Sequence, residues 1–203
     1  MHSSNLVEGN EAIRNCLIAI AYNNDQSAYR TLFIALHSKL KQFAYSIVRS
    51  EEEAEDIVSD LFMIILQRKE QLCQLESPLF YFYATVRNMS LNLLKKQKRR
   101  AGLSMDEWQV QLNSIYFRPD LLMITEDMVL KIKMAINTLP NRCRLIFKLI
   151  KEDGLKYKEV AELLNISVKT VEAQMAIAMR RMAQCMPLEL QSHPVLEKKL
   201  KNK

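Results

Sequence analysis

The sequence predicts an all-α protein of two small helical domains joined by a flexible linker, and three observations predict it. Three glycines and five prolines in 203 residues leave little material for tight turns or hairpins, while Leu, Ile, Ala, Lys, Glu, Gln and Met favour helices. Apolar residues recur at spacings of three and four in two separate stretches. Between those stretches lies an aperiodic segment with an acidic excess. The expected organisation is a first domain over 1–100, a linker over 101–126, a second domain over 127–186 and a basic tail over 187–203.

Within the first domain, Leu32, Leu36, Leu40, Phe43 and Ile47 form the apolar stripe of one helix, which breaks at Arg49 and Ser50. Ser50 is expected to cap the next, with Glu51, Glu52 and Glu53 at the positive end of its dipole. That helix should bury Ala54, Ile57, Val58, Leu61, Phe62 and Ile65, and it aligns Asp56, Asp60, Met63 and Gln67 on a second face open to a partner. Arg68 to Ser77 lacks clean periodicity and reads as a short loop, with Pro78 in the first turn of a new helix. The new helix sets Phe82, Val86, Met89 and Leu93 on one face and Tyr81, Thr85, Asn88, Asn92 and Lys95 on another. It runs into Lys95, Lys96, Lys98, Arg99 and Arg100, five cations in six residues. Aromatic and amide groups beside cations suit stacking on bases and neutralising phosphates; a partly buried aromatic helix with a frayed basic end is the alternative.

Gly102, Trp108 and Arg118-Pro119 interrupt the linker, and Ala101 to Asp127 carries Asp106, Glu107, Asp120, Glu126 and Asp127 against Arg118 alone. Beyond it, Met128, Ile132, Ala135, Ile136 and Leu139 stand at helical spacing up to Pro140. Asn141 to Lys151 forms a further helix, ending near Gly154, with Leu145, Ile146, Leu149 and Ile150 inside. LKYKEVAELLNISVKTVEAQMAIAMRRM then has the spacing of a helix-turn-helix. Its first helix, Lys156 to Leu164, turns Val160, Ala161 and Leu164 inward, and small Ala161 lets two crossing helices approach. Asn165, Ile166 and Ser167 make the turn, with Ser167 capping the second helix. That helix buries Val171, Met175, Ala178 and Met182 and leaves Lys169, Thr170, Glu172, Ala173, Gln174 and Ile177 to face base edges in a major groove. Arg144, Lys156, Lys158, Arg180 and Arg181 are placed to meet phosphates on either side. A helical hairpin used only for packing is the alternative.

Other chemistries find little support. Apolar runs such as Leu61 to Leu66 fall far short of the roughly 18 to 20 residues that span a bilayer, so no membrane insertion is expected. Met1 to Asn10 lacks a cationic region followed by an apolar stretch, and a cytoplasmic location is expected. Cys16, Cys73, Cys143 and Cys185 never pair as C-x-x-C, and His2, His37 and His193 lie in unrelated segments. Neither a metal, a cofactor nor a catalytic set is expected, and the chain reads as no enzyme. The net charge of +6 is placed as basic modules flanking an acidic connector, with four lysines against one glutamate from Glu197 to Lys203.

With both halves in view, the chain resembles the extracytoplasmic-function (ECF) sigma factors, the smallest members of the main bacterial sigma family. FAYSIVRSEEEAEDIVSDLFMIILQRKEQL and SPLFYFYATVRNMSLNLLKKQKRR look like that family's first conserved domain, region 2. LPNRCRLIFKLIKEDGLKYKEVAELLNISVKTVEAQ is similar to its second, region 4, particularly to versions found in Bacteroidetes. The resemblance implies an alternative sigma factor whose Asp56, Ile57, Asp60 and Leu61 helix docks on the clamp helices of core RNA polymerase. It implies that the loop Arg68 to Ser77, with Gln71 and Gln74, receives a base flipped from the minus-ten element. Tyr81, Arg87, Asn88, Lys95 and Lys96 then track the separated strand, and the helix-turn-helix reads the minus-thirty-five element of promoter DNA. A further implied partner is an anti-sigma factor, the free protein being a monomer, and the linker threads toward the polymerase active-site channel.

The sequence departs from the common pattern in places. Ser59 stands where Gln is frequent and Leu66 where an aromatic is frequent, and Glu172, Ala173, Gln174 and Ile177 replace a commonly Arg-rich reading surface. Two rival readings stand beside the resemblance. A free-standing helix-turn-helix regulator would bind a palindrome as a dimer, leaving the first half of the chain without a role. An interaction module that sequesters an anti-sigma factor would not need the Arg87-Asn88 face or the basic block.

Overall fold

The computed structural model describes residues 9–100 and 136–185, and all regular elements among them are helices. The first group comprises α1 (Gly9–Asn23), α2 (Gln26–Val48), α3 (Glu51–Gln67), the single-turn α4 (Lys69–Leu72) and α5 (Pro78–Arg100). The second comprises α6 (Asn141–Lys151), α7 (Tyr157–Leu164) and α8 (Val168–Cys185). The expected linker, the basic tail and most of the helix expected before Pro140 lie outside the described residues.

Local chemistry fixes the helix ends. Asp25 caps α2, its Oδ1 accepting from the Ser27 and Ala28 amides at 2.8 and 3.1 Å. Those bonds hold its carboxyl below the usual range, the Ser27 hydroxyl contributing most. Arg49 closes α2 in the left-handed region at φ 65°, and the expected cap at Ser50 accepts from the Glu53 amide at 3.3 Å. Pro78 opens α5 as expected. The segment from Arg68 to Ser77 is not wholly loop, because α4 forms one helical turn inside it.

Packing follows the apolar stripes. Helix α2 lies against α1, α3 and α5, and α3 packs on α5. Leu32, Leu36, Leu40, Phe43 and Ile47 are buried together with all six residues expected on the inner face of α3. Each fully buried Leu or Phe contributes about 1.5–3 kcal/mol relative to an exposed one, so this stripe is the main stabilising feature of the group. The helix α1 adds Ile13, Leu17, Ile20 and Ala21 to the same core. Those positions stand at helical spacing in the sequence.

In the second group α6 and α7 both pack on α8. Helix α6 has the expected bounds, and it buries Cys143 and Phe147 in addition to Leu145, Ile146 and Leu149, with Ile150 only half-buried. Gly154, at φ 80°, makes the reversal into α7, where a side chain would be strained.

Candidate nucleic-acid interface

The turn between α7 and α8 is built by backbone geometry. Asn165 adopts φ 51°, which lets the Ile166 amide donate to the Ala161 carbonyl at 2.9 Å. Ser167 Oγ then accepts from the Thr170 amide at 3.1 Å and starts α8. At the other end of α7 the Lys156 amide donates to Glu159 Oε2 at 2.7 Å. Val171, Met175, Ala178 and Met182 are buried as expected. Lys169, Glu172, Ala173 and Ile177 are consequently exposed, with Thr170 and Gln174 half-buried beside them. One helix face thus carries cationic, anionic, amide and aliphatic groups, the means to discriminate base edges in a groove.

The flanking cations divide. Lys156, Lys158, Arg180 and Arg181 are exposed, and Arg181 also donates to the Thr138 carbonyl at 3.0 Å. Arg144, also expected at a phosphate, is half-buried and bonds to the backbone. Its Nη2 donates to the Leu139 carbonyl at 2.9 Å and to that of Asn137, and partial burial lowers its pKa. Its guanidinium thereby ties down the approach to α6.

In the first group, α3 separates two kinds of residue. Asp56, Asp60, Met63 and Gln67 are exposed, forming the expected outer face, and Leu66 is 38% exposed beside it. Ile57 and Leu61 are 5% and 0% exposed, which corrects their reading as contacts: their side chains belong to the core and cannot reach a partner. A small network anchors this helix to α2, with Glu55 Oε2 taking Lys41 Nζ at 2.6 Å and Oε1 facing His37 Nε2 at 2.8 Å. The Lys41 bond leads in holding the Glu55 carboxyl below its usual range.

Gln71 and Gln74 are exposed in and just after α4, while Tyr81 and Arg87 are half-buried along α5. Asn88, Lys95 and Lys96 are exposed on the same helix, whose last turn holds Lys98, Arg99 and Arg100. Amide, aromatic and cationic groups are therefore accessible from α4 along α5. Such a surface suits a single strand, which offers stacking faces and phosphates. Among the described residues no group of His, Cys, Asp or Glu could hold a metal ion, and no helix is long and apolar enough to cross a membrane.

Two features escaped the sequence reading. Helix α1 reaches the segment after α4 through Arg14, whose guanidinium donates to the carbonyls of Leu75 and Glu76. The two helical groups also meet: Tyr83 of α5 donates to Asp153 Oδ2 at 2.7 Å, and Lys39 Nζ lies 3.4 Å from Asp153 Oδ1.

Residues 32–100 match Sigma-70 region 2, and residues 130–182 match Sigma-70, region 4, together more than half of the chain and in that order. The chain belongs to the sigma-70 family of sigma factors. Among its relatives, the ECF RNA polymerase sigma factor SigX of Bacillus subtilis (strain 168) is 22% identical over 178 residues, 84% of this chain and 91% of SigX. The ECF RNA polymerase sigma factor SigW of the same organism is 22% identical over 157 residues, 74% of this chain and 84% of SigW. These relatives support the ECF group within the family. Among solved structures, the sigma factor RpoE of Bartonella quintana, in complex with the anti-sigma factor NepR, is 19% identical with a TM-score of 0.47, covering 77% of this chain and 95% of that chain. In this sigma factor, region 2 begins within α2 and runs to the end of α5, region 4 ends within α8, and α1 precedes both.

Proposed function

We propose that this sigma factor is an alternative initiation factor that binds core RNA polymerase and directs promoter recognition and melting. The observation that carries the reading is one chain bearing both surfaces: an exposed mixed reading face on α8 and accessible amide, aromatic and cationic groups from α4 to α5. Duplex at the minus-thirty-five element suits the first, and the opened minus-ten strand suits the second.

Polymerase docks on the outer face of α3 through Asp56 and Asp60, with Met63, Leu66 and Gln67 beside them. Ile57 and Leu61 only hold that helix in place. The segment around Gln71 and Gln74 receives an unstacked base, Tyr81, Arg87, Asn88, Lys95 and Lys96 follow the strand, and the cost of unstacking, a few kcal/mol, is recovered in those contacts. Lys156, Lys158, Arg180 and Arg181 meet phosphates around the reading helix. Polymerase holds both domains at fixed spacing, so the second DNA contact becomes intramolecular and gains avidity. No bond is made or broken by the protein.

The free protein is a cytoplasmic monomer restrained by an anti-sigma factor, and the likeness of LPNRCRLIFKLIKEDGLKYKEVAELLNISVKTVEAQ to Bacteroidetes versions supports reading it as a member of that branch. The test is a gel-shift titration on DNA recovered with polymerase carrying this protein. Retardation should require protein and core polymerase together. Tight, symmetric binding by the protein alone would favour a free-standing regulator instead.

A further inference from the structure

The segment between α4 and α5 has few backbone partners of its own. The Gln74 and Leu75 amides close loose turns onto Gln71 and Leu72, at 3.3 and 3.2 Å. Further support comes from Arg14 of α1, more than 60 residues away in sequence. Arg14 Nε and Nη2 donate to the Leu75 carbonyl at 3.2 and 2.9 Å, and Nη2 donates to the Glu76 carbonyl at 2.8 Å. Asn10 Oδ1 accepts from the Leu79 amide at 3.1 Å, just after the segment. At the start of α4, Lys69 Nζ donates to the Ile20 carbonyl at 3.2 Å and to Asn24 Oδ1. Helix α1 therefore grips the segment itself through Arg14 and the helices on either side of it through Ile20 and Asn10.

We propose that Arg14 is a positioning residue for capture of the flipped minus-ten base, fixing the backbone of Leu75 and Glu76 so that the exposed side chains of Gln71 and Gln74 present a preformed receptor. This rests on the reading of that segment as the base-receiving loop. The chemistry favours arginine specifically. Its planar fork bridges two successive carbonyls, which a lysine ammonium on a flexible stem does less rigidly. A loop that is already ordered loses less conformational freedom when a base enters, so the bonds it makes appear in affinity and in base discrimination. Arg14 need not touch DNA, because it grips the chain through its carbonyls. Helix α1 also lies ahead of the residues matched to region 2, so the positioning device sits outside the matched span.

The test uses holoenzyme assembled from full-length protein and core polymerase, with single-stranded minus-ten oligonucleotides substituted at each base in turn. Wild type should discriminate at one position, Arg14→Ala should lose about tenfold of that discrimination, and Arg14→Lys should recover part of it. Core affinity and binding to a minus-thirty-five duplex should stay unchanged in both variants. Arg14→Ala and Arg14→Lys holoenzymes with wild-type discrimination would overturn the proposal while leaving the loop reading intact. Wild type without base discrimination would overturn the loop reading and the proposal with it. Should Arg14→Ala fail to fold, Arg14→Lys decides: discrimination equal to wild type overturns the proposal, and a partial loss at unchanged melting temperature supports it.

Discussion

The Tyr83 hydroxyl donates a 2.7 Å hydrogen bond to Asp153 across the seam between regions 2 and 4, joining residues 70 apart in sequence. Tyr83 is 0% exposed, its ring packs edge-on against Phe43 at 5.1 Å, and Lys39 approaches the same carboxylate from α2. Promoter elements at minus ten and minus thirty-five lie about 25 base pairs apart, roughly 85 Å at 3.4 Å per pair. Two domains of this size in contact span less than that, given a radius of gyration of about 13 Å per 100 residues. The seam is therefore expected to open on polymerase. Tyr83→Phe leaves the buried Asp153 carboxylate short of a donor, at a cost of about 1–3 kcal/mol. Energy transfer between fluorophores on α3 and α8 should fall in that variant; unchanged transfer would contradict the role of the bond.

The same carboxylate gives the seam a pH dependence. Burial pushes the Asp153 carboxyl up, against the opposing effects of Lys39 and the Tyr83 hydrogen bond, with Glu152 raising it and Lys148 lowering it. A carboxyl raised in the closed state favours closure in its protonated form, so that contribution is present at low pH and is lost as pH rises through the raised value. Glu55 works in the opposite direction, since its lowered carboxyl stabilises the α2 to α3 contact above its unfolded value and loses that contribution on acidification. Energy transfer should therefore rise from neutral pH toward acid while region 2 itself softens, and Asp153→Asn should flatten the first trend without changing the second.

On α3, inner and outer residues should separate cleanly in mutagenesis. Leu61→Ala empties a fully buried site and should cost about 2–5 kcal/mol in chemical denaturation. Asp60→Ala and Asp56→Ala, at exposed positions, should leave stability within about 0.5 kcal/mol and weaken affinity for core polymerase. Equal loss of stability in all three variants would contradict the division of this helix.

The reading face of α8 should control sequence preference without controlling fold. Substituting Gln174 or Ile177 should alter the preferred minus-thirty-five base at one position, by about 1–3 kcal/mol of discrimination. Arg180→Ala should weaken binding to all sequences alike and reduce its salt dependence. Selection from randomised duplexes by holoenzyme measures both effects.

Much of this organisation is legible in the sequence because it is local. The Ser50 cap, the six buried positions of α3, the bounds of α6 and the buried residues Val171, Met175, Ala178 and Met182 follow from helical spacing and cap chemistry. Ile57 and Leu61 carried the same spacing signal, and it marks them as core residues. What escaped is non-local. The bonds of Arg14 to Leu75 and of Tyr83 to Asp153 depend on how helices pack, and no short pattern announces them. The bonds of Arg144 to the carbonyls of Leu139 and Asn137 are likewise invisible to a reading of charge alone. The helix α1 did carry a signal in Ile13, Leu17, Ile20 and Ala21.

The most direct measurement is run-off transcription with purified core polymerase on promoters recovered with this protein. The expected result is a transcript starting at a fixed distance downstream of an asymmetric two-element site, produced only when protein and core polymerase are both present. Absence of a transcript together with absence of core binding would contradict the assignment of this chain as an initiation factor.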